Sequence, residues 1–296
     1  VHEIGNGWLV FALYMVLCLV IFDLLRLFNF PCKYGFYISL FLTLSALSYG
    51  YYNYQHPETK VINIVINKQA THNEHLLKVV SVSDIHLGYG TDKEKLKQYV
   101  ELINAQQPDL ILIGGDLIDN SVVPLYEEKM AEELAKLKAP LGIYMVPGNH
   151  EYISDIRKSM RFISETPIRL LRDEVVALPG GIQIIGRDDR SNKSRLSLQE
   201  LTKRIDPAKP AILLDHQPYD LPDTEQAGID LQFSGHTHRG QIWPVSLITD
   251  YLFDQSHGYR QWGDSHIYVS TGLSLWGPPF RIGTDSELVV FNITCK

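Results

Sequence analysis

Two long uncharged segments open the chain. The first covers residues 4–22 and the second residues 34–54, and neither contains a charged side chain. Each approaches the roughly 20 apolar residues that a helix needs to cross a bilayer, and the tyrosine-rich end of the second segment is typical of a membrane interface. The pattern predicts a transmembrane helical hairpin over residues 1–55. A buried hairpin packed on a soluble domain is the alternative, and a cleaved signal peptide is disfavoured because a second apolar segment follows the first.

The basic residues near the two segments favour one orientation. Arg26 and Lys33 flank the short connection between the segments, and the positive-inside rule puts such a connection in the cytoplasm. The large C-terminal part would then be extracytoplasmic, although Lys60 and Lys68 lie on the other side of the second segment. The sequence starts at Val1 rather than Met, so part of the N-terminus is expected to be missing.

Beyond residue 55, apolar segments of strand length alternate with amphipathic segments of helix length. This alternation predicts one α/β domain over residues 56–296, with a sheet-based core and helices outside it. Strands are expected at residues 61–66, 76–82, 110–113, 141–146, 175–178, 182–185, 211–214, 231–233, 267–270 and 288–292. Helices are expected at residues 92–105, 124–138 and 154–164.

The composition narrows the class of protein. The chain has 296 residues, of which 45% are hydrophobic, so it is long enough to bury a full core. Its net charge of -7 argues against nucleic acid as a partner, because proteins that bind nucleic acid usually present a basic surface. The cysteines, Cys18, Cys32 and Cys295, lack the spacing of a zinc finger or of a disulfide framework. The sequence indicates no oligomeric state.

Side chains that bind metals follow five of the predicted strands. Ligands in α/β sheets usually lie beyond the carboxyl ends of the strands, so these side chains are expected to meet. Each alone has an ordinary explanation, such as a helix start for Asp or Asn and a packed core position for His. Together they provide the nitrogen and oxygen donors that two metal ions sharing one carboxylate need. They are Asp84, His86, Asp116, Asp119, Asn149, His150, His216, His236 and His238.

The same residues form five blocks in a recognisable order. The blocks are Asp84-x-His86, Gly115-Asp116-x-x-Asp119, Gly148-Asn149-His150-Glu151, His216 and Gly235-His236-x-His238. This order resembles the calcineurin-like metallophosphoesterase superfamily, and the flanking segments 213–218, 238–244 and 270–281 are similar to its bacterial membrane-anchored branch. The resemblance implies a four-layer α/β/β/α sandwich, here preceded by the helical hairpin, in a bacterial inner membrane.

The resemblance also implies a dinuclear metal site. One ion would be bound by Asp84, His86, Asp116 and His238. The other would be bound by Asp116, Asn149, His216 and His236, so that Asp116 bridges the two. Manganese is the expected metal, and iron, zinc or cobalt also suit these donors. Two ions about 3.5 to 4 Å apart generate a hydroxide from a shared water and neutralise phosphoryl oxygens. His150 resembles the catalytic acid of the superfamily and Asp119 its orienting partner.

The expected substrate is a phosphodiester, a phosphomonoester or a pyrophosphate. Protein Ser/Thr phosphatases of this superfamily carry an arginine where this chain has Asn120, which argues against that activity. The predicted hairpin favours a lipid or lipid-linked substrate. Relatives that resemble this branch include UDP-diacylglucosamine pyrophosphatases of lipid A synthesis, whose reaction would need the domain to face the cytoplasm. The alternatives are an anchored enzyme for small soluble diesters and a binding scaffold that has lost catalysis.

Four further residues are candidate headgroup contacts, because guanidinium groups suit phosphate and indoles suit interfacial or sugar surfaces. They are Arg239, Arg281, Trp243 and Trp276. Thr237 is expected to face away from the metals and to tolerate substitution. The remaining histidines have no motif role and are expected on the surface or in packing, namely His2, His56, His72, His75, His257 and His266.

Overall fold

The computed structural model describes residues 2–30, 33–68, 70 and 76–296. The expectations for Cys32, His72 and His75 lie outside these residues. The described chain starts with two long helices, α1 (His2–Leu27) and α2 (Gly35–Gln55). They run antiparallel, because Gly35 lies against Phe22 near the end of α1, and the Oγ1 of Thr43 lies 3.8 Å from the Sδ of Met15.

The two helices differ in apolarity. Within the described residues, one helix is long and apolar enough to cross a membrane, and its candidate span is Gly7–Leu27 in α1. α2 carries more hydroxyl and amide groups, and it buries small polar side chains such as Ser39 and Thr43. The predicted transmembrane hairpin is therefore confirmed in part: both helices form, and α1 has the composition of a spanning helix.

Two six-stranded sheets follow the helices. Their strands are β1 (Glu58–Ile66), β2 (Leu77–Val82), β3 (Leu110–Ile113), β4 (Ile143–Met145), β5 (Ile168–Leu170), β6 (Glu174–Ala177), β7 (Gln183–Gly186), β8 (Ala211–Leu214), β9 (Leu231–Ser234), β10 (Gly258–Trp262), β11 (Ser265–Val269) and β12 (Glu287–Cys295). The first sheet has the order β1-β12-β2-β3-β4-β5 and the second β10-β11-β9-β8-β7-β6. The neighbours β2, β3 and β4 are parallel, and so are β7, β8 and β9. Each sheet therefore gathers several carboxyl ends along one edge.

Helices cover the outer faces of both sheets. The helices after α2 are α3 (Lys93–Ala105), α4 (Val123–Glu127), α5 (Met130–Leu134), α6 (Asn149–Ile153), α7 (Ile156–Ser164), α8 (Leu198–Thr202), α9 (Leu221–Gln226) and α10 (Val245–Leu252), and all of them except α6 and α10 contribute side chains to the buried clusters. Alternate residues of a strand point to opposite faces, so Val80 of β2 packs on the helices while Val79 packs between the sheets against Phe233 of β9. Leu213 of β8 packs outward on Leu201 of α8. The predicted α/β/β/α sandwich is confirmed.

Some local predictions fail for short-range reasons. The helix expected over residues 124–138 is two helices, α4 and α5, because Lys129 between them has a φ of 53° and a left-handed residue cannot continue a right-handed helix. The helix expected from residue 154 starts at Ile156, because Asp155 has a φ of 72° and caps α7 by accepting from the N–H of Arg157. The strands β5 and β10 were not expected.

The helical pair packs directly on the sandwich. Val10 and Tyr14 of α1 are buried in a cluster with Ile282, and the Tyr14 hydroxyl donates to the carbonyl oxygen of Trp243 at 2.5 Å. The backbone N–H of Arg281 donates to the carbonyl oxygen of Gly50 in α2 at 2.9 Å. The division at residue 55 stays a prediction, but the first part of α1 and the last part of α2 share a core with the sandwich.

Candidate metal centre

The predicted metal ligands come from strand ends of both sheets. Asp84 and His86 follow β2, Asp116 follows β3, and Asn149 follows β4 in the first sheet. The second sheet contributes His216 after β8 and the two histidines of the Gly235-His236-Thr237-His238 segment after β9. The facing edges of the two sheets bring all seven side chains into one cluster, in which Asn149 and His236 are half-buried and the others buried.

One half of the cluster consists of Asp84, His86 and His238, whose ligand atoms lie within 4.8 Å of one another. The Nε2 atoms of His86 and His238 are 3.1 Å apart, and the Nε2 of His238 is 3.4 Å from Oδ1 of Asp84. These atoms converge on one point, as the predicted first ligand set requires.

The other half contains Asp116, His216 and His236, again within 4.8 Å. The Nδ1–H of His216 donates to the carbonyl oxygen of Gly114 at 2.8 Å, which leaves its Nε2 lone pair toward Oδ2 of Asp116 at 3.2 Å. The Oδ1 of Asn149 lies 2.8 Å from Nδ1 of His236.

Asp116 lies between the two halves. Its Oδ2 is 3.9 Å from the Nε2 of His86 in the first group and 3.2 Å from the Nε2 of His216 in the second. A carboxylate in this position can bind two cations at once, which is the bridging role expected from the sequence.

The electrostatics of the cluster suit cations. Burial by itself lowers the pKa of His216, but the charge of Asp116 outweighs it and raises that pKa well above its ordinary value, so the field here favours positive charge. Burial and the positive charge nearby lower the pKa of His236 to about 4 and that of His238 well below its usual range. Neutral imidazole is the form that binds metal. The donor set therefore fits two divalent cations.

The backbone is left-handed at five of the seven ligands. The φ angles are 55° at Asp84, 49° at His86, 51° at Asp116, 73° at His236 and 47° at His238. This conformation is uncommon for residues other than glycine, although Asp, Asn and His adopt it more often than most. It turns each ligand sharply away from its strand and into the space between the sheets.

Two glycines allow the ligand segments to approach one another. A Cβ on Gly148 would overlap Oδ1 of Asp116, and a Cβ on Gly235 would overlap the side chains of Ser83 and Asp84. The backbone N–H of His236 then donates to Oδ1 of Asp84 at 3.0 Å. The glycines in the sequence blocks are thus explained by close packing around the carboxylates.

His150 and Asp119 lie together beside the cluster. The Nδ1 of His150 is 3.0 Å from the backbone oxygen of Asp119 and 3.3 Å from its Oδ1. Burial lowers the pKa of His150, but the hydrogen bond with Asp119 and the charge of Asp116 outweigh burial and raise the pKa to about 9. The ring of His150 is edge-on to that of His86 with centroids 4.6 Å apart. This geometry agrees with an acid that Asp119 orients next to the metal ligands.

Comparison with known proteins shows the family of the chain. A family model described as calcineurin-like phosphoesterase covers residues 77–240. The chain belongs to the calcineurin-like phosphoesterase family. An "Uncharacterized metallophosphoesterase" of Helicobacter pylori strain J99 is 34% identical over 271 residues, which is 89% of this chain and 70% of that protein.

A "Transmembrane protein with metallophosphoesterase domain" of Bos taurus is 32% identical over 231 residues, covering 72% of this chain and 52% of that protein. Among solved structures, a 5'-nucleotidase precursor of Thermus thermophilus aligns with 74% of this chain and 55% of its own at 14% identity. Its TM-score of 0.43 is too low to support a functional argument.

Sequence reasoning missed one buried carboxylate of this phosphoesterase site. Glu151 accepts from three backbone N–H groups, those of Asp116 at 3.0 Å, Ile118 at 2.9 Å and Gly148 at 2.7 Å. It therefore ties the loop after β3 to the loop after β4. The available signal was the position of Glu151 three residues after Gly148, where a helix-capping carboxylate is common.

The four candidate headgroup contacts lie in different environments. Trp276 is 56% exposed and lines a cavity next to the metal centre. Trp243 is exposed on the surface beside α1, outside the residues that line this cavity. The Nε of Arg239 is 3.8 Å from Oδ1 of Asp250. A headgroup role for these three residues stays a prediction.

Arg281 is fully buried, which argues against contact with a headgroup. Its guanidinium donates to the carbonyl oxygen of His238 at 3.1 Å and lies 3.3 Å from the Nδ1 of the same residue. Burial lowers the pKa of Arg281 to about 10, and the carboxylate of Asp84 is the main influence that opposes this. The contacts fit support of the His238 loop.

The tolerance of Thr237 to substitution stays a prediction. The residue points away from the cluster, but its side chain is buried and its hydroxyl donates to the carbonyl oxygen of Ser256 at 2.6 Å.

Three described histidines outside the motifs have partners elsewhere, namely His56, His257 and His266. For example, the hydroxyl of Tyr259 lies 2.7 Å from Nδ1 of His266.

A cavity of about 570 Å³ opens beside the first half of the cluster. His86, Asp119 and Asn120 form its polar end, and Leu275 and Trp276 contribute apolar wall. The helical pair adds Leu9 of α1 and Tyr54 of α2 to this wall. The candidate metal centre therefore communicates with the surface of the helix that is apolar enough to cross a membrane.

Proposed function

We propose that this protein hydrolyses a phosphoester of a lipid or lipid-linked substrate at a membrane, using two divalent cations. One observation carries the proposal: the same cavity is lined by His86 and Asp119 of the candidate metal centre and by Leu9 of the apolar helix α1. A phosphate group bound at the metal centre would thus leave its apolar chain next to α1. Phosphodiesters, phosphomonoesters and pyrophosphates are all compatible with the polar end.

Different residues of the chain bind the metals, support the ligand loops and donate a proton. Two divalent cations, when bound, acidify water and neutralise phosphoryl oxygens. The ligand cluster would hold them, with Asp116 as the residue placed between its two halves, and the three N–H bonds to Glu151 fix the Asp116 loop. Asp119 holds Nδ1 of His150, so Nε2 is the atom left to donate a proton to the leaving oxygen. This donation stabilises the departing alcohol or phosphate.

The residues that line the cavity favour a lipid as the substrate over a phosphoprotein. Asn120 lines the polar end, and its Nδ2 donates to Oδ2 of Asp119 at 2.5 Å. It offers no cation to grip a phosphorylated side chain. The apolar wall formed by Leu9, Leu275 and Trp276 suits hydrocarbon or a sugar face instead. The negative net charge also speaks against nucleic acid.

Manganese is the metal we propose for the centre. The centre offers imidazole, carboxylate and amide donors, which are hard to borderline ligands and also suit iron, cobalt and zinc. Reconstitution of the metal-free protein with each ion, followed by elemental analysis and turnover, tests this choice. Two bound ions per chain with highest turnover for manganese are expected, and a single bound ion per chain would contradict the dinuclear assignment.

We further propose a bacterial inner membrane as the location, with the sandwich on its outer side. Arg26 and Lys33 flank the connection between α1 and α2, which supports a cytoplasmic connection. Nη1 of Arg26 also lies 2.7 Å from Oδ1 of Asp23, and this ion pair weakens Arg26 as a signal for the orientation. Protease digestion of intact spheroplasts tests the orientation: loss of the sandwich is expected, and full protection would reverse it.

The decisive experiment is turnover by the full chain, purified in detergent with Mn²⁺, against phospholipids, nucleotide-sugar lipids and soluble aryl diesters. The His150→Ala variant provides the matched control. Preference for a lipid substrate is expected. Equal turnover of soluble diesters would mean that the helix only localises the enzyme. No turnover of any substrate with any divalent cation would favour a binding scaffold.

A further inference from the structure

The helix α10 presents apolar residues to the outside and polar residues to the inside. Ser246 and Thr249 are buried against the sandwich. The outer face carries Leu247, Ile248, Tyr251 and Leu252, which are 58%, 59%, 88% and 65% exposed. Surface helices of soluble proteins show the opposite arrangement, and neighbouring large apolar side chains on a surface mark an interaction site.

The apolar face of α10 is also free of charge. Asp250 is the charged residue of this helix, and its carboxylate, 37% exposed, lies on the flank next to the buried side, where it accepts from the hydroxyl of Ser256 and lies 3.8 Å from Nε of Arg239. Trp243, just before α10, extends the exposed apolar surface. The partner of this surface is therefore expected to be apolar as well.

The surface continues onto α1. The carbonyl oxygen of Trp243 accepts from the hydroxyl of Tyr14 in α1, and Ile242 packs in the cluster that contains Val10 and Tyr14. The apolar face of α10 thus begins where the sandwich meets the helix that is apolar enough to cross a membrane. A bilayer that surrounds α1 would reach this face without any gap.

With α1 spanning a bilayer, as proposed above, its length brings the sandwich into contact with lipid. The candidate span Gly7–Leu27 has 21 residues, which at 1.5 Å per residue rise about 31 Å, the thickness of a hydrocarbon core of about 30 Å. The part beyond the contact at Tyr14 rises only about 20 Å. For the whole span to fit, the sandwich surface next to Val10 and Tyr14 must enter the outer 10 Å or so of the apolar layer.

We propose that Trp243 and the outer face of α10 insert into the boundary between lipid headgroups and acyl chains. Amphipathic helices at this boundary bury their apolar face about 5 to 10 Å deep, which agrees with the depth required by α1. The membrane is then held at two points. Because α10 lies shortly after the metal ligand His238, the second contact fixes the orientation of the metal centre relative to the bilayer. This inference does not depend on the substrate.

Lipid-dependent quenching tests the insertion. The full chain, with Cys18, Cys32 and Cys295 replaced by serine, is labelled with the fluorophore NBD at Tyr251→Cys and reconstituted in phosphatidylcholine and phosphatidylglycerol liposomes containing doxyl-labelled lipid. Leu24→Cys in α1 is the positive reference and the exposed Lys158→Cys in α7 the aqueous reference. Quenching at position 251 is expected to approach that at position 24 and to exceed that at position 158 at least about threefold.

Two outcomes would overturn the proposal. Quenching at position 251 no stronger than at position 158 would place the face in water. A blue-shifted label without lipid quenching would mean that protein, such as a second copy of the chain, covers the face. As a check on the helix itself, Ile248→Glu is expected to reduce the quenching at position 251, and Ile248→Leu to leave it unchanged. Retained metal content in all variants shows that they are folded.

Discussion

The guanidinium of Arg281 donates to the carbonyl oxygen of His238, and the backbone N–H of Arg281 donates to the carbonyl oxygen of Gly50 in α2. A single residue thus connects a metal ligand with the helical pair. We expect Arg281→Ala to weaken metal binding, by about 10- to 100-fold as for other residues that support ligands. Titration of the metal-free protein measures this. Unchanged affinity with a selective loss of lipid turnover would instead restore a headgroup contact for Arg281.

The ligand and acid roles can be separated by substitution. Asp116→Ala and His236→Ala are expected to abolish turnover and to lower bound metal, because each removes a donor from the cluster. His150→Ala is expected to lower turnover by about 10²- to 10⁴-fold with metal retained. Elemental analysis beside kinetics on a soluble diester distinguishes the two classes. If the His150 variant loses its metal, the residue is a ligand and its assignment as the acid is wrong.

The apolar wall of the cavity predicts a selective defect. Leu9→Trp should narrow the cavity next to α1 and lower kcat/KM for a lipid substrate by about tenfold or more, with little change for a small aryl diester. Trp8→Leu, on the same helix but outside the residues that line the cavity, is the control. Equal losses for both substrates in the Leu9 variant would show that the wall serves the fold and does not contact a lipid chain.

Glu151 predicts a stability defect that originates in the backbone. Glu151→Gln keeps one acceptor oxygen and turns an amide toward N–H groups that need an acceptor, so the variant is expected to lose about 1 to 3 kcal/mol of unfolding free energy. Denaturant unfolding of the metal-free protein measures this without interference from bound ions. A variant as stable as the parent would mean that the three N–H groups find other partners.

Thr237 predicts a smaller effect of the same kind. Thr237→Val preserves the shape of the side chain but leaves the carbonyl oxygen of Ser256 without its donor, which is expected to cost about 1 kcal/mol. Thr237→Ser keeps the hydroxyl and serves as the matched control. Thermal unfolding is expected to show a lower Tm for the valine variant alone. The metal content of both variants is expected to be unchanged.

The metal centre was predictable because its signals are local. Asp84, His216 and the other ligands each follow an apolar strand within a few residues, and parallel strands bring their carboxyl ends together. The candidate ligands could therefore be gathered from the sequence, and the resemblance to the superfamily divided them between two ions.

The surroundings of the site depend on contacts between distant segments. Arg281 contacts distant segments: its backbone contacts α2, more than 200 residues away in the chain, and its guanidinium contacts His238. Leu9 enters the cavity wall for the same reason. No periodicity in the sequence reports such contacts, so both the burial of Arg281 and the cavity wall were missed.

Short elements escaped prediction for a different reason. The three-residue strand β5 and the exposed strand β10 offer too few apolar positions for a pattern to appear. The break at Lys129 lies inside a segment with helical periodicity, and lysine carries no signal for a left-handed conformation. In these places the tertiary structure decides the local conformation.

The left-handed backbone at five ligands has a consequence for how the site can change over evolutionary time. Asp, Asn and His are the non-glycine residues that accept this conformation most readily, and they are also common metal ligands. Exchange among these three residues at Asp84 or His238 would alter the donor atom and leave the turn intact. Single substitutions can therefore shift the metal preference of a lineage while the fold is inherited unchanged, whereas a β-branched replacement would disturb the ligand and the turn together.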